Sequence, residues 1–361
     1  MNLYDSNGYV NIRDILHLNL PFTIVVGGRA TGKTYTTLKT AVEDEIRFMY
    51  MRRLQSQADL INKPDFSPFK KLNTDMHWFI GTVPISKYNA GFYKQRLNEE
   101  QTAMEYYGLP IGYTCALSTI SNLRGFDASD VDLLIYDEFI YEKHERVLKN
   151  EGDAFLNCYE TINRNRELEG RKPLQCILLA NSTNMANPIF MSLGLVRIAQ
   201  KMKEKGNKIY INNKRGIGLF MLDDSPISQK KRETALYKLT ANSEFAKMSL
   251  DNEFSVEEIG RIKSLPLNQF KPIVAVGEIC IYEHKTDRYY YCSTHKSGKP
   301  EVFGSGSADL TRFRKKYFYL WRTEYMANNI IFEEYVCQIL FEQYFKLWYN
   351  HLEVKLWSKK L

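Results

Sequence analysis

The sequence lacks the features that mark several classes of protein. Its six cysteines form no CxxC pair and do not cluster with histidine, which disfavours zinc and redox sites and favours a reducing cytoplasm. The longest stretch without a charged residue, 173–196, contains asparagines, a glutamine and a proline, so we expect no membrane span. The first residues lack the basic and apolar segments of a signal peptide, and we expect none. No internal repeat is present.

What the chain does contain is typical of a globular protein of about two domains. It has 361 residues, of which 44% are hydrophobic and 25% are charged. The net charge of +7 is unevenly distributed, because residues 1–199 carry 22 Lys and Arg against 23 Asp and Glu, whereas residues 200–361 carry 27 against 19. This excess indicates a polyanionic partner such as nucleic acid, or a solvated lysine-rich surface, and charge alone leaves both open.

Hydrophobic patterning predicts an α/β fold in the first half of the chain, where short apolar runs alternate with amphipathic stretches. The predicted buried strands are Phe22–Val26, Phe48–Met51, Leu133–Tyr136 and Cys176–Ala180, with helices from Lys33 to about Glu45 and over Asp153–Asn163. A polar, basic, glycine-containing stretch then reads as a linker. After it, the pattern predicts strands at Ile273–Tyr282 and Arg288–Cys292 and helices at Asp309–Ala327 and Asn329–Leu347. We therefore expect domains at 1–200, 201–254 and 255–361.

The strongest motif is a phosphate-binding loop between the first predicted strand and helix. The sequence Gly27-Gly28-Arg29-Ala30-Thr31-Gly32-Lys33-Thr34 fits GxxxxGK[ST]. Such glycines let backbone N–H groups surround phosphates at a helix N-terminus. Lys33 would bind the β- and γ-phosphates of ATP, and the Thr34 hydroxyl would be a ligand of Mg²⁺.

An acidic pair follows another apolar strand, as a metal-dependent nucleotide site requires. Asp137 is the expected second partner of Mg²⁺, through water, and Glu138 can activate a water for attack on the γ-phosphorus. Because a small-molecule kinase must avoid that water, the pair favours hydrolysis. A third strand ends at Asn181, whose amide could sense the γ-phosphate and hold the attacking water.

Arginine side chains could complete the site by stabilising charge on the γ-phosphoryl group. Arg29 lies in the loop itself, and a neighbouring subunit often supplies such a cation. The further candidates are Arg52, Arg53, Arg124, Arg164 and Arg166.

In this order of motifs the chain resembles the DNA-packaging ATPases of small short-tailed bacteriophages, the phi29-like, terminase-like group. The resemblance includes the phosphate loop, Tyr50–Arg53, Tyr136–Phe139, Arg164–Glu167, Ala180–Ser182 and Asn187–Phe190. Its most specific match is the string 248–254, Met-Ser-Leu-Asp-Asn-Glu-Phe, because ATP chemistry does not require it.

The resemblance implies a P-loop NTPase of the additional-strand catalytic-glutamate (RecA- or HerA-like) class, followed by a small linker and an α+β domain. That last domain would be RNase H-like without nuclease acids, consistent with its scattered carboxylates. The resemblance also implies a pentameric ring on a procapsid portal in the host cytoplasm, driving double-stranded DNA inward. Arg164, and a second cation at Arg124, would act on a neighbour's site. Ring size, a bridging packaging RNA, and which of Arg124, Arg164 and Arg166 acts in trans stay open.

We therefore predict an ATP-driven translocase of double-stranded viral DNA. The alternatives are a ring helicase-like ATPase with the same core, or a DNA-binding structural protein with a decayed nucleotide site. In the last domain the aromatic residues could stack bases, but their helical spacing favours core packing. These residues are Tyr289, Tyr290, Tyr291, Phe313, Tyr317, Trp321, Phe345 and Trp348.

Overall fold

The computed structural model describes residues 1–123, 127–140, 148, 151–181, 187–222, 225–240 and 261–345. The chain divides into two compact units, Met1–Phe254 and Ser255–Leu361. Within the described ranges, no helix is long and apolar enough to cross a membrane.

The first unit is built on one nine-stranded sheet. Its strands are β1 (Phe22–Gly27), β2 (Phe48–Arg52), β3 (Ile80–Pro84), β4 (Ala90–Leu97), β5 (Met104–Ala116), β6 (Leu133–Asp137), β7 (Gln175–Ala180), β8 (Ile209–Asn212) and β9 (Ile217–Leu222). They lie in the order β3-β4-β5-β2-β6-β7-β1-β9-β8. The six strands from β5 to β9 in this order are parallel to one another, and the pairs β3–β4, β4–β5 and β9–β8 at the two ends are antiparallel.

Helices accompany this sheet, and the chain crosses between parallel strands through several of them. They are α1 (Ile12–Leu16), α2 (Lys33–Glu43), α3 (Gln55–Ile61), α4 (Lys70–Met76), α5 (Glu151–Asn163), α6 (Pro188–Ser192), α7 (Val196–Lys205), α8 (Pro226–Arg232) and α9 (Ala235–Leu239). The central strands β6, β7 and β9 are buried almost throughout. Burial on both faces explains why these strands are continuous apolar runs without polar alternation.

The strands predicted at β1, β2, β6 and β7 agree with the structure to within one residue at each end. The helices α2 and α5 differ from prediction by about two residues at one end. The strands β3, β4 and β5 have no counterpart in the prediction. The first six residues of β5 are exposed, so this strand shows no continuous apolar run along its length.

The predicted linker at 201–254 is wrong for its first part. Residues 209–222 form β8 and β9, and β9 pairs in parallel with β1, which places Val25 opposite Phe220. The predicted nucleotide-binding domain therefore continues past residue 200. The glycines of this segment are typical of a linker, but here they serve a turn between two strands. Gly216 has a φ of +63° and makes the turn that leads into the fully buried strand β9. Residues 241–254 lie outside the described part of the chain.

The second unit is an α+β arrangement around a five-stranded sheet. Its strands are β10 (Phe270–Val276), β11 (Ile279–His284), β12 (Tyr290–Ser293), β13 (Glu301–Phe303) and β14 (Ile330–Phe332), in the order β13-β10-β11-β12-β14. Its described helices are α10 (Ser307–Met326) and α11 (Tyr335–Phe345). The strands β10, β11 and β12 are antiparallel, whereas β13 and β14 run parallel to β10 and β12.

Two predictions for this unit need correction. The single strand expected at Ile273–Tyr282 is a hairpin, because Gly277 with a φ of +52° reverses the chain between β10 and β11. The helix expected from Asn329 starts only at Tyr335, because Ile330–Phe332 instead pairs with β12 as an edge strand.

Four of the eight aromatic residues singled out in this unit form its core. Tyr291, Phe313, Trp321 and Phe345 have no exposed surface, and Phe313 and Phe345 pack against each other. Buried rings cannot stack on bases, so core packing is their role. Trp348 lies outside the described residues.

Candidate nucleotide site

The phosphate loop, the acidic pair, Arg52 and Asn181 meet at one edge of the nine-stranded sheet, where the parallel strands β1, β2, β6 and β7 end. Register places Val26 opposite Ala180 and Asp137 opposite Leu179. The phosphate loop, Arg52, the acidic pair and Asn181 directly follow or end these strands. The sheet therefore brings together motifs that are separated by up to about 150 positions in the sequence.

The phosphate loop has the tight backbone that its glycines predict. Gly32, with a φ of +80°, precedes α2, and Ala30 also has a positive φ of 64°. At Gly27 a side chain would collide with β9, since a Cβ there would lie 2.4 Å from the Leu222 Cβ. The loop thus packs closely against β9 before it turns into the helix.

Lys33 is folded into this loop and is only 5% exposed. Its ammonium donates to the carbonyl oxygens of Gly27 and Gly28 at 3.1 and 2.8 Å and to the Thr31 hydroxyl at 3.1 Å. Burial lowers the pKa of Lys33 to about 7, and the positive charge of Lys231 adds to this, whereas Asp137 and Glu138 oppose it. An anion bound beside Lys33 would favour its charged form.

Asp137 is the centre of the polar contacts at this edge. Its Oδ2 accepts hydrogen bonds from the Thr34 hydroxyl at 2.9 Å, from the Tyr50 hydroxyl at 2.5 Å and from Arg52 Nη1 at 3.3 Å. The motifs assign no role to Tyr50, because its contact with Asp137 depends on the pairing of β2 with β6. Burial and the neighbouring charge of Asp137 raise the pKa of Tyr50, so its hydroxyl stays a donor.

Glu138 lies beside Asp137 in a conformation that few glutamates adopt. Its φ is +53°, in the left-handed region, and its backbone N–H donates to Asp137 Oδ1 at 3.1 Å. Its carboxylate forms an ion pair with Arg52 Nη2. A positive φ at a non-glycine residue is a strained arrangement that is common at functional sites. Arg52 thus binds both carboxylates of the acidic pair from the end of β2.

The oxygen atoms of Thr34 and Asp137 suit a magnesium ion. They are 2.9 Å apart and lie beside Lys33, and Mg²⁺ prefers hard oxygen ligands. No group of three or more His, Cys, Asp or Glu residues that could hold a metal occurs in the described ranges. Two protein oxygens are sufficient where phosphate oxygens and water complete the shell.

The other candidate residues are placed differently. Asn181 is half-buried directly after β7, at the same edge as Asp137. Arg29 is exposed on the phosphate loop, and its charge acts on Lys231. Arg124 lies outside the described residues, as do Ser182 and the string 248–254.

Arg164 lies at the opposite edge of the sheet from its own acidic pair. It follows α5 with a φ of +48° and pairs with Asp127 at 3.5 Å. The preceding Asn163 accepts from the backbone of Leu174, just before β7 begins. Since β6 rises by about 3.3 Å per residue, its length puts roughly 15 Å between these edges.

Arg166, the other arginine of that string, is a structural residue. It is 4% exposed and donates to Asp132 at 2.9 Å, to the Ser129 carbonyl at 3.0 Å and to the Val131 carbonyl. These contacts hold its guanidinium inside the subunit, which argues against a role as a trans-acting cation.

Arg53 turns away from the site that its neighbour Arg52 enters. It is fully buried and forms an ion pair with Glu151, the first residue of α5, at 2.5 Å. The Tyr136 hydroxyl reaches the same carboxylate at 3.5 Å. One end of α5 is thereby anchored beside the ends of β2 and β6, and the other end carries Arg164.

The chain is similar to several known proteins. Residues 101–265 match the model of the Podovirus DNA encapsidation protein (Gp16) family. The DNA packaging protein of Bacillus phage B103 is 28% identical over 64% of this chain and 63% of its own length, which is less than two thirds of that protein. The DNA packaging protein of Bacillus phage phi29 is 25% identical over 69% of this chain and 67% of its own.

The resemblance to the phi29-like packaging proteins is confirmed. A solved structure of the Phi-28 gp11 DNA packaging motor has the same fold, with a TM-score of 0.65 over 96% of this chain and 100% of that one, at 20% identity. The matched family region begins after the phosphate loop and includes Asp137, Glu138 and Asn181.

Proposed function

We propose that the chain is an ATPase that drives double-stranded DNA into a viral procapsid. The observation that carries this proposal is the contact between Thr34 and Asp137 beside the buried Lys33, with Glu138 next in the chain. This arrangement suits a nucleoside triphosphate held with Mg²⁺ and hydrolysed by a water. The chain resembles DNA packaging proteins, which is why we propose that hydrolysis drives DNA packaging.

Each residue has a defined task in this proposal. Lys33 exchanges its loop carbonyls for the β- and γ-phosphate oxygens, and Thr34 and Asp137 hold Mg²⁺, which neutralises phosphate charge when bound. Glu138 accepts a proton from the water whose oxygen attacks the γ-phosphorus, as the bond to the bridging oxygen of ADP breaks. Asn181 positions that water.

For Glu138 to act, its carboxylate must leave or share its contact with Arg52. The ion pair holds the carboxylate at the end of β2, and the positive φ of Glu138 keeps the backbone in a strained position. Glu138 therefore has two arrangements, one paired with Arg52 and one in which its carboxylate acts as the base. We infer that phosphate binding selects the active one.

Strand order supports assignment to the additional-strand catalytic-glutamate class. The strand β7 lies between β1, which leads into the phosphate loop, and β6, which ends in the acidic pair. A glutamate directly after the metal-binding aspartate completes that description.

The second unit supports an RNase H-like ancestry in part. Three antiparallel strands are followed by β13, which is parallel to the first of them. β14 lies beside β12 at the other edge, which is a departure that the resemblance did not lead us to expect. We propose that this unit binds DNA or another packaging component.

Arg164 lies at the end of the sheet opposite its own acidic pair, which supports a role in the site of a neighbouring subunit. A side chain roughly 15 Å from its own acidic pair can reach a nucleotide only in a neighbouring subunit. This agrees with a ring of subunits on the portal, for which we propose five members, with a packaging RNA as a further partner to be tested.

Two other functions remain as alternatives. A ring helicase would use the same site but separate strands, and a strand-displacement assay distinguishes it from a translocase. A DNA-binding structural protein would need a decayed nucleotide site. The contacts among Lys33, Thr34, Asp137 and Glu138 speak against that decay.

The experiment that tests the proposal replaces Glu138 with Gln. The amide keeps the shape but cannot accept the proton, so we expect ATP to bind while hydrolysis falls on the order of 10²-fold or more. Lys33→Ala is the companion variant and should weaken binding itself. ATP turnover near the wild-type rate in Glu138→Gln would remove the assignment of the base.

A further inference from the structure

The helix α8 begins at the edge of the sheet that carries the phosphate loop. It follows β9, and β9 is parallel to β1, so both strands end at this edge. Ser225, the residue before α8, is fully buried and donates to the Gly8 carbonyl at 3.5 Å. At Gly8 a side chain would meet Pro226, since a Cβ would lie 2.9 Å from that of the proline. The start of α8 is thus packed on the N-terminal turn of the chain.

That turn is packed on the phosphate loop in the same way. The Val10 N–H donates to the Thr31 carbonyl at 3.0 Å. The Tyr9 ring covers Gly32, where a Cβ would lie 2.5 Å from the Tyr9 Cδ1. The start of α8, the N-terminal turn and the phosphate loop therefore form a continuous set of contacts.

Lys231 is the residue of α8 whose charge reaches this loop. It is half-buried, whereas Lys230 and Arg232 on either side are exposed. Its ammonium lies 5.9 Å from the centre of the buried Tyr237 ring. Within the described part of the chain, no carboxylate forms an ion pair with it. Partial burial of a lysine ammonium is costly unless an anion accompanies its charge.

Lys231 interacts electrostatically with Arg29 and with Lys33 of the phosphate loop. Burial and the charge of Arg29 lower the pKa of Lys231, and Lys231 in turn acts on Lys33. These positive charges repel one another, whereas a multiply charged anion bound among them would attract each of them. Asp137 and Glu138 offset part of this positive charge at Lys33. The polyphosphate chain of a nucleotide is an anion of the required charge.

We propose that Lys231 is a phosphate-binding residue of the nucleotide site in its own subunit. It approaches the polyphosphate from α8 while Lys33 approaches from the loop. This inference rests on the proposed function, because it assumes that the loop binds a nucleoside triphosphate. It assigns a ligand to part of a basic segment that composition alone would place on DNA or in solvent.

The test compares three variants of the full-length chain. Lys231→Met keeps the aliphatic stem against Tyr237 and removes the charge, Lys231→Arg keeps the charge, and Lys230→Ala removes the exposed neighbour as a matched control. We expect Lys231→Met to raise KM for ATP and Kd for Mg²⁺–ADP by about tenfold, as for a lost charge-assisted hydrogen bond. Lys231→Arg should restore most of this affinity, and Lys230→Ala should match wild type.

Outcomes separate this inference from the function on which it rests. If wild type binds ATP, Lys33→Ala does not, and Lys231→Met matches wild type, Lys231 is not a phosphate ligand and the nucleotide site stands. A variant that weakens only duplex DNA binding would equally overturn the inference. A lowered unfolding temperature that Lys231→Arg does not correct would indicate a purely structural role. If wild type itself binds no ATP, the proposed function fails first.

Discussion

Arg52 links the two acidic side chains of the nucleotide site. It contacts Asp137 and Glu138 from the end of β2 while its own side chain is only 12% exposed. A guanidinium can bridge two carboxylates because its donors form a planar fork, which a lysine ammonium lacks. Arg52 therefore helps to hold both the metal-binding residue and the base in position.

We predict that Arg52→Ala lowers kcat for ATP by roughly 10- to 100-fold, since small displacements of catalytic groups have effects of this size. Arg52→Lys should lie between the variant and wild type, because it keeps the charge and loses the bridge. Steady-state ATPase assays of both variants, with Glu138→Gln as the inactive reference, measure this. An Arg52→Ala enzyme with unchanged kcat would show that the bridge positions nothing that matters for turnover.

At this scale the sequence predicts some residues well and others not at all. Lys33, Thr34, Asp137 and Glu138 follow from local spacing at strand ends, and spacing is visible in one dimension. Arg52 and Arg53 are adjacent and chemically identical. Alternation along a strand says that they point in opposite directions, but only the sheet neighbours decide which of them enters the site.

The ion pair between Arg53 and Glu151 joins β2 to α5 inside the protein. Both side chains are at most 1% exposed. Removing one partner of such a pair leaves a buried charge, so we predict that Arg53→Ala lowers the free energy of unfolding by about 3 kcal/mol or more. Urea denaturation measures this loss.

A double variant provides the control for that pair. Arg53→Met with Glu151→Leu removes both charges and keeps the volume, so it should be less destabilised than Arg53→Ala. If the single variant lost less than about 1 kcal/mol, the pair would not anchor α5.

The helix α5 connects this ion pair to Arg164, which we propose acts on the nucleotide site of a neighbouring subunit. We predict that Arg164→Ala binds ATP almost normally but hydrolyses it roughly 10³-fold more slowly, the usual scale for a missing trans-acting arginine. Mixing Arg164→Ala with Glu138→Gln subunits should restore part of the activity, because some interfaces then pair an intact Glu138 with an intact Arg164.

Mass measurement of the mixed assemblies is the control for this experiment. If the two variants co-assemble and no activity returns, the trans assignment is contradicted and Arg124 becomes the better candidate. Arg166 does not serve as an alternative, because its buried contacts hold it within the subunit.

Strands could be predicted from the sequence where their residues are fully buried, but not where many of their residues are exposed. The strands β1, β6 and β7 are covered on both faces and read as apolar runs. The edge strand β8 alternates between exposed and half-buried residues, and β5 is exposed along its first half, so neither contrasts with a loop. β14 contains only three residues and depends on its pairing with β12.

Across the whole molecule, the basic excess does not belong to one unit. Residues 200–254 carry 11 Lys and Arg against 7 Asp and Glu, and residues 255–361 carry 16 against 12, so each part contributes +4. A fragment that starts at residue 200 would remove β8 and β9 from their sheet. The polyanion hypothesis therefore has to be tested on the full chain.

The sharpest test of the proposed DNA-translocating ATPase is the rate of ATP hydrolysis by the full-length protein, with and without duplex DNA. We predict turnover that duplex DNA stimulates regardless of sequence, that falls as salt displaces backbone contacts, and that is lost in Lys33→Ala and Glu138→Gln. The oligomeric mass of the same sample shows whether subunits have assembled. An assembled protein that binds ATP and duplex DNA but shows no turnover in the presence of both would contradict the account.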